Sequence, residues 1–170
     1  MNFEIKNTTE SDLGFICWLF DEAIVYQKKN KYPVWKGYDK TVLEKDIEDR
    51  RQYKLEHNGE IACIFSVLYS DEMLWTDREK GDAIYLHRVV VNPKFKGNKL
   101  FEKIVDWAIS HAKECNREFL RMDTWANNAT IIDYYQNYGF KFLDEITTSD
   151  DRNLPLQNRN LTVALLERRV

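Results

Sequence analysis

Four lysines, Lys94, Lys96, Lys99 and Lys103, fall within ten residues that hold one acid, Glu102, in a chain of formal net charge -3. Cations gathered in this way suit phosphate oxygens, because charge-assisted hydrogen bonds are the stronger class. The setting sharpens the reading. Ile84 to Val91 is an apolar, β-branched run that Pro93 stops, Gly97 lies in the loop, and Leu100 opens a long amphipathic segment. A strand, a basic loop and a helix start in that order can hold a diphosphate, since the first N–H groups of a helix lack partners and carry partial positive charge. A solvated basic turn has the same composition, so the loop alone leaves both readings open. Two nucleotide signatures are excluded. The Gly-x-x-x-x-Gly-Lys-Ser/Thr pattern is missing, and Gly97 is the loop's single glycine, too few for a dinucleotide fingerprint.

The elements that must position this loop belong to a chain of 170 residues, long enough to bury a core and expected to form one domain over 1–170. A net charge of -3 supplies no global basic field, which argues against nucleic acid as a partner. Cys17, Cys63 and Cys115 are odd in number and far apart, and three histidines offer no zinc spacing, so no metal is expected. Such cysteine usage fits a reduced, cytoplasmic setting. Residues Met1 to Lys6 hold no long apolar run, and none elsewhere reaches membrane-spanning length, so no membrane partner is expected.

Phe3 and Ile5 alternate with polar neighbours and predict a short strand. Thr9 to Asp12 reads as a capping box, and Leu13, Ile16, Cys17, Phe20, Ala23 and Ile24 then recur at helical spacing. Lys28 to Tyr38 reads as a loop whose rings, Tyr32, Trp35 and Tyr38, either fold back as a satellite cluster or line a substrate mouth. Thr41 to about Arg51 predicts a second helix, Leu43 and Ile47 inward and its charges solvated. Asn58-Gly59 marks a hairpin, followed by a strand apolar on both faces over Ile61 to Leu68. Ser70 to Asp82 reads mostly as loop. After the Ile84 strand comes the clearest helix, with Leu100, Phe101, Ile104, Val105, Ala108, Ile109 and Ala112 in one stripe, started by Asn98 and ended by Asn116. A strand over Phe119 to Trp125, a short helix from Asn127-Asn128 to Gly139, a strand over Phe140 to Ile146, a loop with Pro155 and a last strand from Leu161 complete the chain. The order predicts an α/β fold: a single-domain mixed, twisted sheet of about seven strands flanked by about four helices.

A second motif bears on the loop. Asn128 to Phe140 fits N-x-x-(small or apolar)-x-x-x-Y-x-x-x-G-F, with Tyr135, Gly139 and Phe140 in register. It resembles the C-terminal motif of the GCN5-related N-acetyltransferases (GNAT). The preceding strand, loop and helix resemble the family's acetyl-CoA motif, V-x-P-x-(aromatic)-(Q/R)-G-x-G-x-(G/A). Val91, Pro93, Phe95 and Gly97 match, and Lys96 stands for Gln/Arg. Lys99 and Phe101 occupy positions where the pattern has glycine or a small residue.

The resemblance implies an acyl-CoA N-acyltransferase (GNAT-like) fold and an enzyme that moves an acetyl group from acetyl-CoA to a primary amine by direct transfer in a ternary complex. Val89, Val90 and Val91 would present backbone groups to the pantetheine arm, and Lys96, Gly97, Asn98, Lys99, Leu100 and Phe101 would hold the pyrophosphate. A bulge in the strand would aim an N–H at the thioester carbonyl. Tyr135 matches the tyrosine that protonates the leaving CoA thiolate, although a core ring would have the same helical spacing. Asn128 would touch the cofactor arm or cap its helix. The amine needs a base, for which His87 is preferred, on one strand face with Val89 and Val91 by period two, and Asp123 is second. His111 reads as a surface residue, while Trp35, Trp75 and Trp125 are candidates to shape the acceptor pocket. Lys99 and Phe101 keep a rival in view: a non-catalytic acyl-CoA-binding or regulatory domain on the same fold. The acceptor, a small-molecule or peptide amine, stays open, and exposed strand edges would allow a homodimer.

Overall fold

The computed structural model describes residues 1–150, 152 and 158–170, so the predicted loop around Pro155 lies outside the described residues. Seven strands, β1 (Glu4–Asn7), β2 (Gln52–His57), β3 (Glu60–Leu68), β4 (Ala83–Val91), β5 (Phe119–Trp125), β6 (Lys141–Thr147) and β7 (Thr162–Arg169), form one sheet in the order β1-β2-β3-β4-β5-β7-β6. Pairing is mixed: β4 and β5 are parallel, whereas β1/β2, β2/β3, β5/β7 and β6/β7 are antiparallel. Five α-helices accompany them among the described residues: α1 (Leu13–Lys29), α2 (Lys40–Glu48), α3 (Glu72–Trp75), α4 (Leu100–Glu114) and α5 (Ala129–Gln136). The predicted order is therefore met, with α3 added. None of these helices is long and apolar enough to cross a membrane. The residues gather into two compact units, one of 1–67 with 87–104 and one of 68–86 with 105–170.

In the first unit, the Thr9/Asp12 capping box closes a 3-10 turn that leads into α1. Ile16, Leu19 and Phe20 on α1 pack with Leu43 of α2, Ile61 and Ile64 of β3 and Val90 of β4. Each such side chain, fully buried, contributes roughly 1.5–3 kcal/mol through its removal from water. Asn58 (φ 50°) and Gly59 (φ 80°) make the tight β2–β3 turn that Asn-Gly predicts, since both accept left-handed backbone. The rings of the α1–α2 loop divide. Trp35 and Tyr38 pack on Phe20, at 5.5 and 5.1 Å between centroids, and the Trp35 N–H donates to Gln27 Oε1 at 2.9 Å. The Tyr38 phenol is pushed up to about 12 by burial and by Cys17 and Asp21 beside it. Tyr32 stays exposed, against Tyr26.

The second unit is built on β5, β7 and β6, with Trp75, Ala83, Tyr85, Val163 and Leu165 at its centre. Arg121, 4% exposed, stands over the Trp75 ring at 4.8 Å. It donates to Glu167 Oε2 at 2.8 Å and to the Tyr85 hydroxyl at 3.0 Å, and its ion pair with Asp82 measures 3.1 Å. Helix α3 corrects the expectation of a loop over Ser70 to Asp82. Asp71 caps it by accepting from the Leu74 N–H, and its last residue, Trp75, is fully buried. Four residues are about one turn, too short to display a helical period in sequence.

The Asp12–Lys54 pair supports the first unit with Nζ at 2.9 Å from both carboxylate oxygens and both side chains mostly buried. Burial would raise the Asp12 carboxyl, but hydrogen bonds from Lys54 and Thr9 and the Lys54 charge outweigh it and hold it below its ordinary 3.8. A carboxyl depressed by folding contributes stability above its unfolded pKa and loses it as pH falls through the folded one. Asp12→Asn should thus cost on the order of 1 kcal/mol at pH 7 and progressively less as pH falls below the ordinary 3.8, read by urea unfolding across that range. An equal loss at every pH in that range would exclude the ionic contribution.

Candidate functional site

Strand β4 does not stay extended. Arg88 has φ 51°, the left-handed region that L-residues adopt at a cost of about 1–2 kcal/mol. A left-handed residue inside a strand breaks the extended path as the first residue of a glycine bulge does, and turns the backbone groups around it. It also interrupts period two, so the expectation that His87 shares a face with Val89 and Val91 loses its basis. Beyond it, Val90 is buried in the α1/α2 core, while Val89 is half-buried and Val91 exposed. His87 is half-buried.

Asn92 fastens the end of the strand. Its backbone N–H donates to the Ala62 carbonyl at 2.9 Å, its side-chain N–H to Ile61 O at 2.8 Å, and its Oδ1 accepts from the Lys94 N–H at 3.1 Å. Pro93 to Phe95 then make a 3-10 turn, with Phe95 only 4% exposed and Phe3 edge-on to it at 6.2 Å. The predicted cap, Asn98, instead turns back and donates to the Phe95 carbonyl at 2.9 Å. Gly97 (φ 89°) and Lys99 (φ 51°) are both left-handed. Backbone that passes in and out of the left-handed region curls its N–H groups into a concavity suited to anions. Helix α4 follows at once, with the Glu102 N–H donating to the Lys99 carbonyl at 3.1 Å, and the first turn of a helix is where amides lack intrahelical partners.

The two positions that depart from the motif have distinct local roles. Phe101 is 4% exposed, in the buried stripe of α4, and so its bulk is turned into the protein. Lys99 accepts the backbone conformation that glycine adopts without cost. Of the other loop lysines, Lys94 pairs with Glu60, and Lys103 lies over the Phe3 ring at 5.6 Å. Lys96 donates to the Tyr26 hydroxyl at 2.7 Å, its ammonium 4.3 Å from that ring's centre. Tyr26, on the outer side of α1, carried no chemical signal in the sequence.

In the second unit Asn128 caps α5, its Oδ1 accepting from the Ile131 N–H at 3.2 Å. Tyr135 lies near the end of that helix, half-buried, with the Tyr134 ring 5.5 Å away, and so it is not a ring sealed in the core. Gly139 (φ 84°) closes the segment with Arg168 packed against it, where an added Cβ would meet the guanidinium at 3.3 Å. Asp123, on β5, is half-buried. His111 is no surface residue: its ring stacks on Trp107 at 4.7 Å and its Nε2 lies 2.8 Å from the Tyr69 hydroxyl. Trp75 is sealed in its core and Trp35 packs on Phe20, so neither presents a free ring, while Trp125 is half-buried at the end of β5.

The model of the Acetyltransferase (GNAT) family matches residues 15–140, and the chain belongs to that family. It is 26% identical over 112 residues, 64% of its length, to an uncharacterized N-acetyltransferase of Bacillus subtilis. The chain spans 62% and 61% of the length of the two curated relatives it matches here. Among solved structures, a GNAT-family acetyltransferase of Listeria monocytogenes superposes with a TM-score of 0.80 at 22% identity, over 99% of this chain and 95% of that one. A Salmonella typhimurium protein solved with its cofactor acetyl-CoA gives a TM-score of 0.67 at 16% identity, over 98% and 93% of the two chains. These neighbours confirm the expected fold.

The left-handed residue before α4 makes a direct prediction about Lys99. Lys99→Val, whose branched Cβ fits that conformation poorly, should destabilise the protein by about 1–2 kcal/mol in urea unfolding, while Lys99→Gly should cost nothing or stabilise slightly. Equal stability of the two variants would contradict the loop's backbone path.

Proposed function

We propose that the chain is one acetyltransferase domain over 1–170 that moves an acetyl group from acetyl-CoA to a primary amine by direct transfer within a ternary complex. The observation that carries this reading is the left-handed Arg88 in β4, followed by a loop whose left-handed Gly97 and Lys99 open onto α4. Bound acetyl-CoA supplies the activated thioester. The backbone of Val89, Val90 and Val91 pairs with the pantetheine arm, and the amides from Lys96 to Phe101, with the Lys96 and Lys99 ammonium groups, hold the pyrophosphate. An N–H turned by the bulge donates to the thioester carbonyl as negative charge develops on its oxygen.

His87, with Asp123 as the second choice, takes the proton that the amine must lose before its nitrogen bonds to the acetyl carbon. As the carbon–sulfur bond breaks, the Tyr135 hydroxyl donates its proton to the sulfur. Asn128 serves by capping α5, the helix that carries Tyr135.

Isothermal titration tests the first half of this reading: acetyl-CoA and CoA should each bind one per chain, and no heat from either would overturn it. Tyr135→Phe should then lower turnover on an amine panel by about 10²-fold with cofactor affinity nearly unchanged. An unaltered rate would remove Tyr135 from the proton transfer. Binding without turnover on any amine would assign the chain to the non-catalytic acyl-CoA-binding class.

A further inference from the structure

The left-handed residue in β4 is an arginine, and its side chain does not run free. Its guanidinium reaches the carboxylate of Asp46 on α2 through Nη2, and its Nε donates to Ser66 Oγ at 3.3 Å. Asp46 is 2% exposed and also pairs with Arg51 Nη2 at 3.2 Å. A carboxylate taken out of water survives only with such partners, and removing one leaves the other charge stranded. Ser66 donates to Gln52 Oε1 at 2.7 Å, and Gln52 Nε2 donates to the Phe65 carbonyl at 3.2 Å. Every member of this chain of bonds lies within the first unit. The result is a buried polar network whose one irregular backbone position is Arg88.

We infer that Asp46 is a positioning residue for acetyl transfer: it anchors the Arg88 guanidinium and thereby holds β4 in the bulged conformation that aims its backbone N–H groups. The inference rests on the function proposed above. Glycine is the usual occupant of a left-handed site in a bulge, because it meets no Cβ penalty, but it also leaves the backbone free to leave that conformation. An arginine fixed at its far end is strained and yet held, since straightening the strand would pull the guanidinium off a buried carboxylate. Strain of this kind persists where surrounding structure over-determines it. The pyrophosphate loop has its own fastenings through Asn92, so the network bears on the thioester end of the site rather than on the phosphate end.

Asp46→Asn keeps the side-chain shape and removes the charge. It should lower kcat at least 10-fold with acetyl-CoA while leaving the affinity for CoA, which has no thioester, within about threefold of wild type. At position 88 the activity should fall in the order Gly, Ala, Ile, following the rising cost of a left-handed φ. Arg88→Ile as active as wild type would mean that the left-handed backbone is not needed, and an unchanged kcat in Asp46→Asn would remove the anchor; either result overturns the inference. A readout without turnover separates this from failure of the proposed function. In ligand-free ¹H–¹⁵N spectra, Asp46→Asn should shift or broaden the amides of His87 to Val91 and spare those of Gly97 to Leu100. Unmoved His87 to Val91 signals would sink the inference even in a fully active enzyme.

Discussion

Much of the first unit is arranged around a backbone that leaves the extended region in the middle of a strand. A single L-residue in the left-handed region is unfavourable by more than most surface interactions recover, and Arg88 has it inside β4. Two things surround it. On one side a buried carboxylate on α2 holds its guanidinium; on the other, Val90 is packed with Ile16, Leu19, Phe20 and Leu43. Helices α1 and α2 are thus more than a cover for the sheet. Their apolar faces fix where the strand resumes, and the one buried charge of α2 fixes where it departs.

The loop that follows uses the same economy of means. Asn92 ties the strand end to β3 through two hydrogen bonds and accepts a third from Lys94 in its own turn, Phe95 plugs the turn, and Gly97 and Lys99 turn the chain into α4. Its lysines are mostly held rather than waving in solvent, by Glu60, by the Tyr26 ring and by the Phe3 ring. A preformed loop of this kind would meet the anion of the proposed function with little ordering cost, which is the advantage of preorganisation. Family membership and this local geometry support each other: the motif identifies the loop, and the backbone shows how a lysine and a phenylalanine fit where small residues are usual.

Several readings of the sequence were limited by what a linear pattern can carry. The helices α1, α4 and α5, the Asn58-Gly59 hairpin and the two motifs were legible, because each is written in neighbours within a few residues. The helix-ending role of Asn116 was legible for the same reason, and its φ of 53° bears it out. Asp46 was read as one more solvated charge on α2, although its place three residues after Leu43 and one before Ile47 puts it on the buried side. Charge type outweighed helical phase in that reading. His111 misled in the same way, since its hydrogen-bond partner Tyr69 is 42 residues away and the ring it stacks on, Trp107, gives no polar signal.

What the sequence by itself determined is the family, the order of elements and the path from β4 through a basic turn into α4, all of which rest on short-range period, turn chemistry and motif spacing. Tertiary structure decided the conformation of Arg88, the pairing of Asp46 with its guanidinium and the tie between Lys96 and Tyr26. Each of these joins residues between 42 and 70 positions apart or depends on packing from another element. The physical reason is that φ, burial and pairing at such sites are selected by partners the chain meets only after it has folded, and no local pattern encodes them.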